Sequence, residues 1–523
     1  MGTHTRRSFF FATFGFGLIY PQHTDAPIHI IRSQWILNHG WFPFDEYAFD
    51  QKKSYVYPPA FHVLGAVSKK LTGSYLAAPA ASGAFSIVLT YRLVSLWYNR
   101  TLGLSTALVL ALNPFFVLWS ARMYVGTTIT AGFLLTMVLY FTYLERDDRR
   151  YLYAAFITGG GLSAVKTYGP LAAGIILFHL LWIRRDSLTE TLRTTATPLA
   201  AGVLASLPWP IRNILLTGSP VPKVTGRDVV GNTQPPVNGI HVLVPTWKEL
   251  QLFFPRALGI QPPQAVTDQL GSLHSLLPIL WLALPLLIVF VMVYGVRTNR
   301  LNVAARIWFA TFVLLYFVQR VASGGGTALK YRHFVTLTPI FCLTLVMGYR
   351  SLPVNVNLKR VAGVLIVLTL LTQMGAVAAV QTTYMQTTWE PATEWVDENI
   401  EHDEVIYMSR DDRGMAYRVD PQYKFITISS KEGYIHPSEN FTEVVSDRAD
   451  WVISNDDADP RAQARIDNAL ASGTLRHAET IEVTKKIKFG GTTVTTLDRT
   501  WYFYKVVNST NKKEQHSSET IRV

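Results

Sequence analysis

One cysteine, Cys342, stands among 523 residues, and it sits inside an apolar run. Disulfides within the chain and cysteine-based metal sites are thereby excluded. Charge is scarce too. Only 16% of residues are Asp, Glu, Lys or Arg, against about 25% in an ordinary soluble domain. With 49% hydrophobic residues and a mean hydropathy of +0.19, much of the surface must face something other than water, and the apolar runs identify it as lipid. The sequence also lacks a phosphate-cradling glycine loop of the Walker type, an internal repeat and an extended low-complexity tract. The formal charge of +12 could point to nucleic acid. Its placement points elsewhere, because many Lys and Arg residues cluster in short loops between apolar runs.

The apolar runs fall at about 8–20, 75–95, 103–119, 126–143, 152–165, 168–183, 196–215, 273–296, 306–320, 334–349 and 361–381. They predict a polytopic α-helical membrane protein with about eleven transmembrane helices. Arg6 and Arg7 precede the first run, which has no small-residue cleavage site and reads as a short span rather than a removed signal. Below the usual ~20 residues, it is what a truncated or differently started chain gives. Short arginine-rich loops recur on alternate sides: Arg92 and Arg100; Arg146, Arg149 and Arg150; Arg184, Arg185 and Arg193; Arg297, Arg300 and Arg306; Arg350, Lys359 and Arg360. The positive-inside rule puts these loops and the N-terminus in the cytoplasm. The alternate loops then face outward: 21–74, 120–125, 166–167, 216–272, 321–333 and everything after 382.

The first outer loop, 21–74, is the polar stretch around which the rest is organised. A loop of this length in an apolar chain is more often functional than incidental. Asp25 and His29 are four apart and share one face of a helix. Asp25 reads as a helix cap ahead of Pro27, a general base or a metal ligand. Ile28, Ile31, Trp35 and Ile36 repeat at helical spacing, as in a helix lying along the membrane surface. Asp45 and Glu46 follow Pro43 as solvated loop charges or site residues, and Tyr57 and His62 flank Pro58–Phe61. The apolar piece 58–68 is too short to span and ends at Lys69 and Lys70, at the outer surface.

Basic residues occupy the other outer loops. Arg122 holds a phosphate or snorkels to the interface, and Lys166 is an interfacial anchor or a ligand contact. Arg212, behind the helix-breaking Pro208–Trp209–Pro210, suits a guanidinium–phosphate contact. Lys330, Tyr331, Arg332 and His333 oppose the positive-inside trend, and an anionic ligand is the simplest reason for them. A carboxylate loop and outward cations suggest chemistry on a phosphate-bearing substrate whose lipid tail enters between spans. Without a nucleotide site, a sugar donor has to be lipid-linked.

After about residue 385 charge returns. Short β-rich runs (404–408, 423–428, 451–454) alternate with helix-like stretches (391–400, 460–471), and a hairpin pattern runs 481–489, Gly490–Gly491, 492–507. Three regions are expected: a membrane domain over 1–384, a small extracytoplasmic α/β domain over 385–507 and a polar disordered tail over 508–523. The sequons at Asn440 and Asn508 accord with an outward C-terminal region.

These motifs, in this order, resemble the GT-C superfamily of polyprenyl-phosphate-dependent glycosyltransferases. Asp25–His29 with Gly40–Pro43 is similar to the first outer loop of oligosaccharyltransferase catalytic subunits, and Tyr57–His62 to the proline motif leading into the next helix. Lys166–Gly169 is similar to a stretch of protein-mannosyltransferase-like members. Pro208–Asn213 with Gly218–Pro220 resembles that group's most recognisable signature, and Arg332 ahead of Pro339 fits its late arginine.

The resemblance implies a GT-C-like membrane fold and a sugar donor on polyprenyl or dolichyl phosphate. It implies transfer at the outer face of the plasma membrane in cell-envelope glycan biosynthesis. Asp25 is then the candidate base or metal-site carboxylate, and Arg212 and Arg332 are the phosphate contacts. Asp45 and Glu46 stay as further catalytic candidates; His29, Tyr57, His62, Arg122, Lys166 and Lys330 stay as substrate contacts. Partners are the lipid-linked donor, a glycan, lipid or protein acceptor, and membrane lipid, with no nucleic acid. Two departures stand out. Gly126, Thr127 and Thr128 follow Arg122 where many relatives place an acidic residue, which weighs against dependence on a divalent metal. The outer domain reads Ile406–Asp412 where oligosaccharyltransferases carry Trp-Trp-Asp-Tyr-Gly, which weighs against sequon glycosylation. Rival readings are a flippase for a lipid-linked glycan, for which a repeat is missing, and an inactive substrate-binding relative.

Overall fold

The computed structural model of the chain describes residues 26–40, 45–46, 51–54, 58–217, 220, 290–299, 301–322, 331–361, 363–364, 367, 390–401, 404–409, 424–428, 441–456, 460–489 and 492–507. The expected span 8–20, the expected tail from 508, both sequon asparagines and most of the expected spans 273–296 and 361–381 lie outside the described residues. Contacts divide the chain into two units. One comprises 1–20, 57–221 and 234–380, the other 21–56, 222–233 and 381–523.

The second unit begins with helix α1 (Ala26–His39) and the short antiparallel strands β1 (Asp45–Glu46) and β2 (Gln51–Ser54), which set Asp45 opposite Ser54. Pro27 sits in the first turn of α1, where its missing N–H is no loss. Along α1 the residues His29, Ile30, Arg32 and Ser33 are buried, and Ser33 Oγ donates back to the His29 carbonyl at 2.8 Å. The buried side of this helix is therefore polar as well as apolar; of the expected apolar face, Ile36 is half-exposed, and the side chains of Ile28, Ile31 and Trp35 lie outside the description.

The first unit is helical: α2 (Ala60–Thr72), α3 (Ala77–Trp97), α4 (Arg100–Ala111), α5 (Pro114–Ser120), α6 (Gly126–Arg146), α7 (Arg149–Gly161), α8 (Leu171–Ile183), α9 (Leu188–Ser206), α10 (Pro208–Thr217), α11 (Val303–Ala322) and α12 (Thr338–Ser351). Three stretches among the described residues are long and apolar enough to cross a bilayer: Ala77–Trp97, Gly126–Arg146 and Phe334–Ser351. The expected span 103–119 is two helices, α4 and α5, bent by 66°. Asn113 makes the break, its side chain accepting from Phe116 N at 2.9 Å so that a new helix starts at Pro114. The expected span 196–215 likewise divides between α9 and α10, just before Pro208. Helices dominate because a bilayer offers backbone groups no outside partners.

Close approach of small residues packs these helices. A Cβ on Gly160 would run into the Gly202 carbonyl across the α7–α9 crossing, and one on Gly348 would run into the Val291 carbonyl. Phe133 stacks on Trp308 at 5.7 Å and meets Phe312 edge-on at 5.6 Å, filling the space between α6 and α11.

Hydrogen bonds sort the helix ends. At one end Arg92 pairs with Glu145 at 3.3 Å, and Arg146 donates to Tyr151 at 3.1 Å. Asn302 N donates to Tyr98 Oη at 2.8 Å, Asn299 bonds Ser351, and Lys359 donates to the Arg350 carbonyl at 3.0 Å. This end collects the arginine-rich loops. At the other end Ser82 meets Thr128 at 2.9 Å, Thr127 donates to the Pro79 carbonyl at 3.3 Å, and Ser163 donates to the Ser206 carbonyl at 3.0 Å.

The second unit continues with α13 (Glu390–Asn399), β3 (Val405–Ser409), β4 (Lys424–Ile428), α14 (Phe441–Arg448), β5 (Trp451–Asn455), α15 (Pro460–Ala471), β6 (Leu475–Phe489) and β7 (Thr492–Val506). The sheet order is β4-β3-β5-β7-β6, with β3 parallel to β4 and β5, and β7 antiparallel to β5 and β6. Alternate residues serve its two faces. Ile406, Met408, Trp451, Ile453, Trp501 and Phe503 pack with Ala392 and Val396 of α13. Tyr407, Val452, Tyr504 and Val506 pack with Phe441 and Val445 of α14 and Ile466 of α15. Both faces are covered, so β3 and β5 read as continuous apolar runs.

Gly160→Ala forces α7 away from α9 and is expected to lower unfolding stability by about 1–3 kcal/mol. Gly161→Ala, where an added Cβ meets nothing within 4 Å, is expected to be neutral or stabilising. Thermal unfolding of both variants in detergent checks the contrast; equal midpoints would contradict the packing described.

Candidate functional site

Away from the arginine-rich end, the first unit fixes three of the expected cationic residues against aromatic rings. Helix α5 ends at Ser120, and Arg122 follows in the tight link to α6, where Tyr124 N donates to the Arg122 carbonyl at 2.7 Å. That turn swings the half-buried guanidinium over the ring of Trp119, with Cζ 5.1 Å from the centroid. Trp119 lies 5.0 Å from Tyr124, and both rings are buried. Lys166, just past the 3₁₀ turn Leu162–Ala164, places its Nζ 5.9 Å from the Tyr124 centroid. One aromatic pair thus supports two cations from different loops.

The third cation rests on its own helix. Pro208 and Pro210 open α10, and Arg212 lies over Trp209 at 4.6 Å. Its Nη1 donates to Asn213 Oδ1 at 3.2 Å. Helix α10 packs against the 3₁₀ turn that precedes Lys166. A cation over an indole or phenol face contributes about 0.5–2 kcal/mol and keeps a planar or ammonium head pointing one way without neutralising it. The arrangement can therefore hold an anion: three positive charges are fixed in place over aromatic rings.

The other expected site residues fare differently. His62 is buried in the first turn of α2, 6.0 Å from Phe61 and edge-on to it, and His29 is buried on α1. Asp45 and Glu46 form β1, and Arg332 lies in the 3₁₀ segment Tyr331–Leu337; the side chains of these three are outside the description. Asp25, Tyr57 and Lys330 lie outside the described residues altogether. Thr127 and Thr128 turn their hydroxyls to Pro79 and Ser82 on α3.

Sequence reasoning missed Trp119, Tyr124 and Trp209, the rings that hold the cations. A signal existed, since Trp119/Arg122 and Trp209/Arg212 share one spacing. The same spacing recurs at Trp97/Arg100 and Trp182/Arg185 on the arginine-rich end, so it singles out nothing by itself.

With this geometry in hand, comparisons with known proteins show what the chain is similar to. ArnT from Cupriavidus metallidurans bound to undecaprenyl phosphate shares the fold over 96% of both chains, with a TM-score of 0.57 at 12% identity. Its apo state matches over the same extent with a TM-score of 0.58 at 12% identity. An Archaeoglobus fulgidus oligosaccharyltransferase in complex with Zn and sulfate matches 83% of this chain, which spans 64% of that longer protein, with a TM-score of 0.52 at 14% identity. At such identities the likeness speaks for the fold. No protein of curated function matches the chain in sequence. The family described as dolichyl-phosphate-mannose-protein mannosyltransferase matches residues 58–209, from Pro58 through Trp209. The fold is thus shared with these polytopic membrane enzymes, and residues 58–209 are similar to the mannosyltransferase family, in line with the GT-C resemblance of the motifs.

Trp119→Leu removes the ring beneath Arg122 and beside Tyr124, and is expected to cost about 2–4 kcal/mol of unfolding stability through the void left behind. Tyr124→Phe keeps the ring and is expected to cost about 1 kcal/mol or less. Chemical unfolding in detergent measures both. A Trp119→Leu protein as stable as the parent contradicts the buried aromatic pair.

Proposed function

We propose that the chain is a membrane glycosyltransferase that moves a sugar from a polyprenyl-phosphate donor to a hydroxyl-bearing acceptor, whether glycolipid, glycan or protein, at the outer face of the membrane. The observation that carries the reading is the set of ring-supported cations, Arg122, Lys166 and Arg212, gathered away from the arginine-rich end of the helices. The match of residues 58–209 to a family described by a dolichyl-phosphate donor supports the same reading. So does the shared fold with ArnT, which binds undecaprenyl phosphate.

In the proposed reaction Asp25 accepts the acceptor hydroxyl's proton as its oxygen attacks the anomeric carbon. The bond from that carbon to the donor phosphate oxygen breaks, and Arg122, Lys166 and Arg212 stabilise the charge gathering on the departing phosphate. Asp45 and Glu46 are the alternative carboxylates. His29, Tyr57, His62, Lys330 and Arg332 are proposed substrate contacts. The arginine-rich end is proposed to face the cytoplasm with the N-terminus, and the α/β unit at 385–507 to lie outside the plasma membrane.

Purified full-length protein given a polyprenyl-phosphate sugar is expected to release polyprenyl phosphate and form a glycosylated product. Asp25→Asn is expected to reduce transfer by about 10²–10⁴-fold while donor binding stays near the parent value. Undiminished transfer in Asp25→Asn removes that residue as base. Glycan movement across vesicles with the glycosidic bond intact assigns the chain to transport instead.

A further inference from the structure

Asn213 is wholly buried, next to the half-buried Arg212 whose charge the function needs. Its amide is used at both ends. Oδ1 accepts from Arg212 Nη1 at 3.2 Å, and Nδ2 donates to the Pro220 carbonyl at 3.1 Å. The chemistry of the two neighbours fixes which way the amide points. Rotating it by half a turn would set its NH₂ against guanidinium N–H groups and its oxygen against a carbonyl oxygen, losing both bonds. Trp209 meanwhile supports the face of the same guanidinium at 4.6 Å. One neighbour sets the plane of Arg212 and the other its rotation in that plane.

We infer that Asn213 is a positioning residue for the donor phosphate: clamped to the chain at Pro220, it orients the Arg212 guanidinium toward the phosphate oxygens. The inference rests on the phosphate reading of Arg212 given above. It also gives Pro220 a task, since its carbonyl anchors the amide. An Asn side chain suits the task where an acid does not. A carboxylate at 213 would pair with the guanidinium and compete with the phosphate, and its second oxygen would face the Pro220 carbonyl.

Phosphate recognition and folding are separated by comparing two probes, undecaprenyl phosphate and the neutral alcohol undecaprenol, each bound to the full chain in detergent. A purely structural loss weakens both alike; a lost phosphate contact lowers only the preference for the phosphate. Arg212→Ala is expected to cut that preference roughly tenfold or more, and Asn213→Ala roughly three- to tenfold. The double variant is expected to be no worse than Arg212→Ala, because residues acting through one another are not additive. Asn213→Asp, nearly isosteric, is expected to lose preference as well and serves if the alanine variant does not fold. Unchanged preference in Asn213→Asp, or a double variant at the product of the two single losses, overturns the positioning role while leaving Arg212 as a phosphate contact. An unchanged preference in Arg212→Ala overturns the phosphate reading of Arg212 itself.

Discussion

A cation beside a bilayer is expensive unless something holds it, and here aromatic faces do the holding. Arg122 lies on Trp119, Lys166 lies near Tyr124, and Arg212 lies on Trp209. A ring orients such a head group without itself neutralising the charge. The rest of the membrane unit can be seen as the framework that brings those rings and cations to one end of the helices.

The framework works through breaks as much as through continuous spans. Asn113 ends one helix and caps the next, so that α5 delivers Trp119 and Arg122 after a 66° bend. Leu207 stands at the α9–α10 break, with Pro208 and Pro210 just beyond it, and α10 carries Trp209 and Arg212 together. Between the breaks, glycine crossings such as Gly160 against Gly202 let backbones approach closely. Polar bonds at the helix ends, Ser82 to Thr128 and Arg92 to Glu145, keep α3 and α6 parallel and in register.

Much of this was legible in the residues. Apolar runs and arginine-rich loops group the helix ends as the hydrogen bonds do, because run length and loop charge answer to the bilayer directly. The alternation of Ile406, Tyr407 and Met408 marks a strand covered on both faces. The breaks were harder to see: hydropathy runs straight across Asn113, and only the side chain's bond to Phe116 N reveals the new helix. The eight-residue helix α14 was missed because Phe441 and Val445 are too few for a period to register. The aromatic supports were invisible for another reason: Trp before Arg is equally common at the opposite end, and which pairs stack is decided by tertiary packing. Family resemblance reached Arg212 but said nothing of Asn213 as its guide.

The most direct measurement is a cryo-EM map of the full chain in nanodiscs saturated with undecaprenyl phosphate. The account predicts phosphate density within hydrogen-bonding distance of Arg122, Lys166 or Arg212. Density seated instead among Arg297, Arg306 and Arg350, or an unliganded Trp119–Trp209 end at saturating lipid, contradicts it.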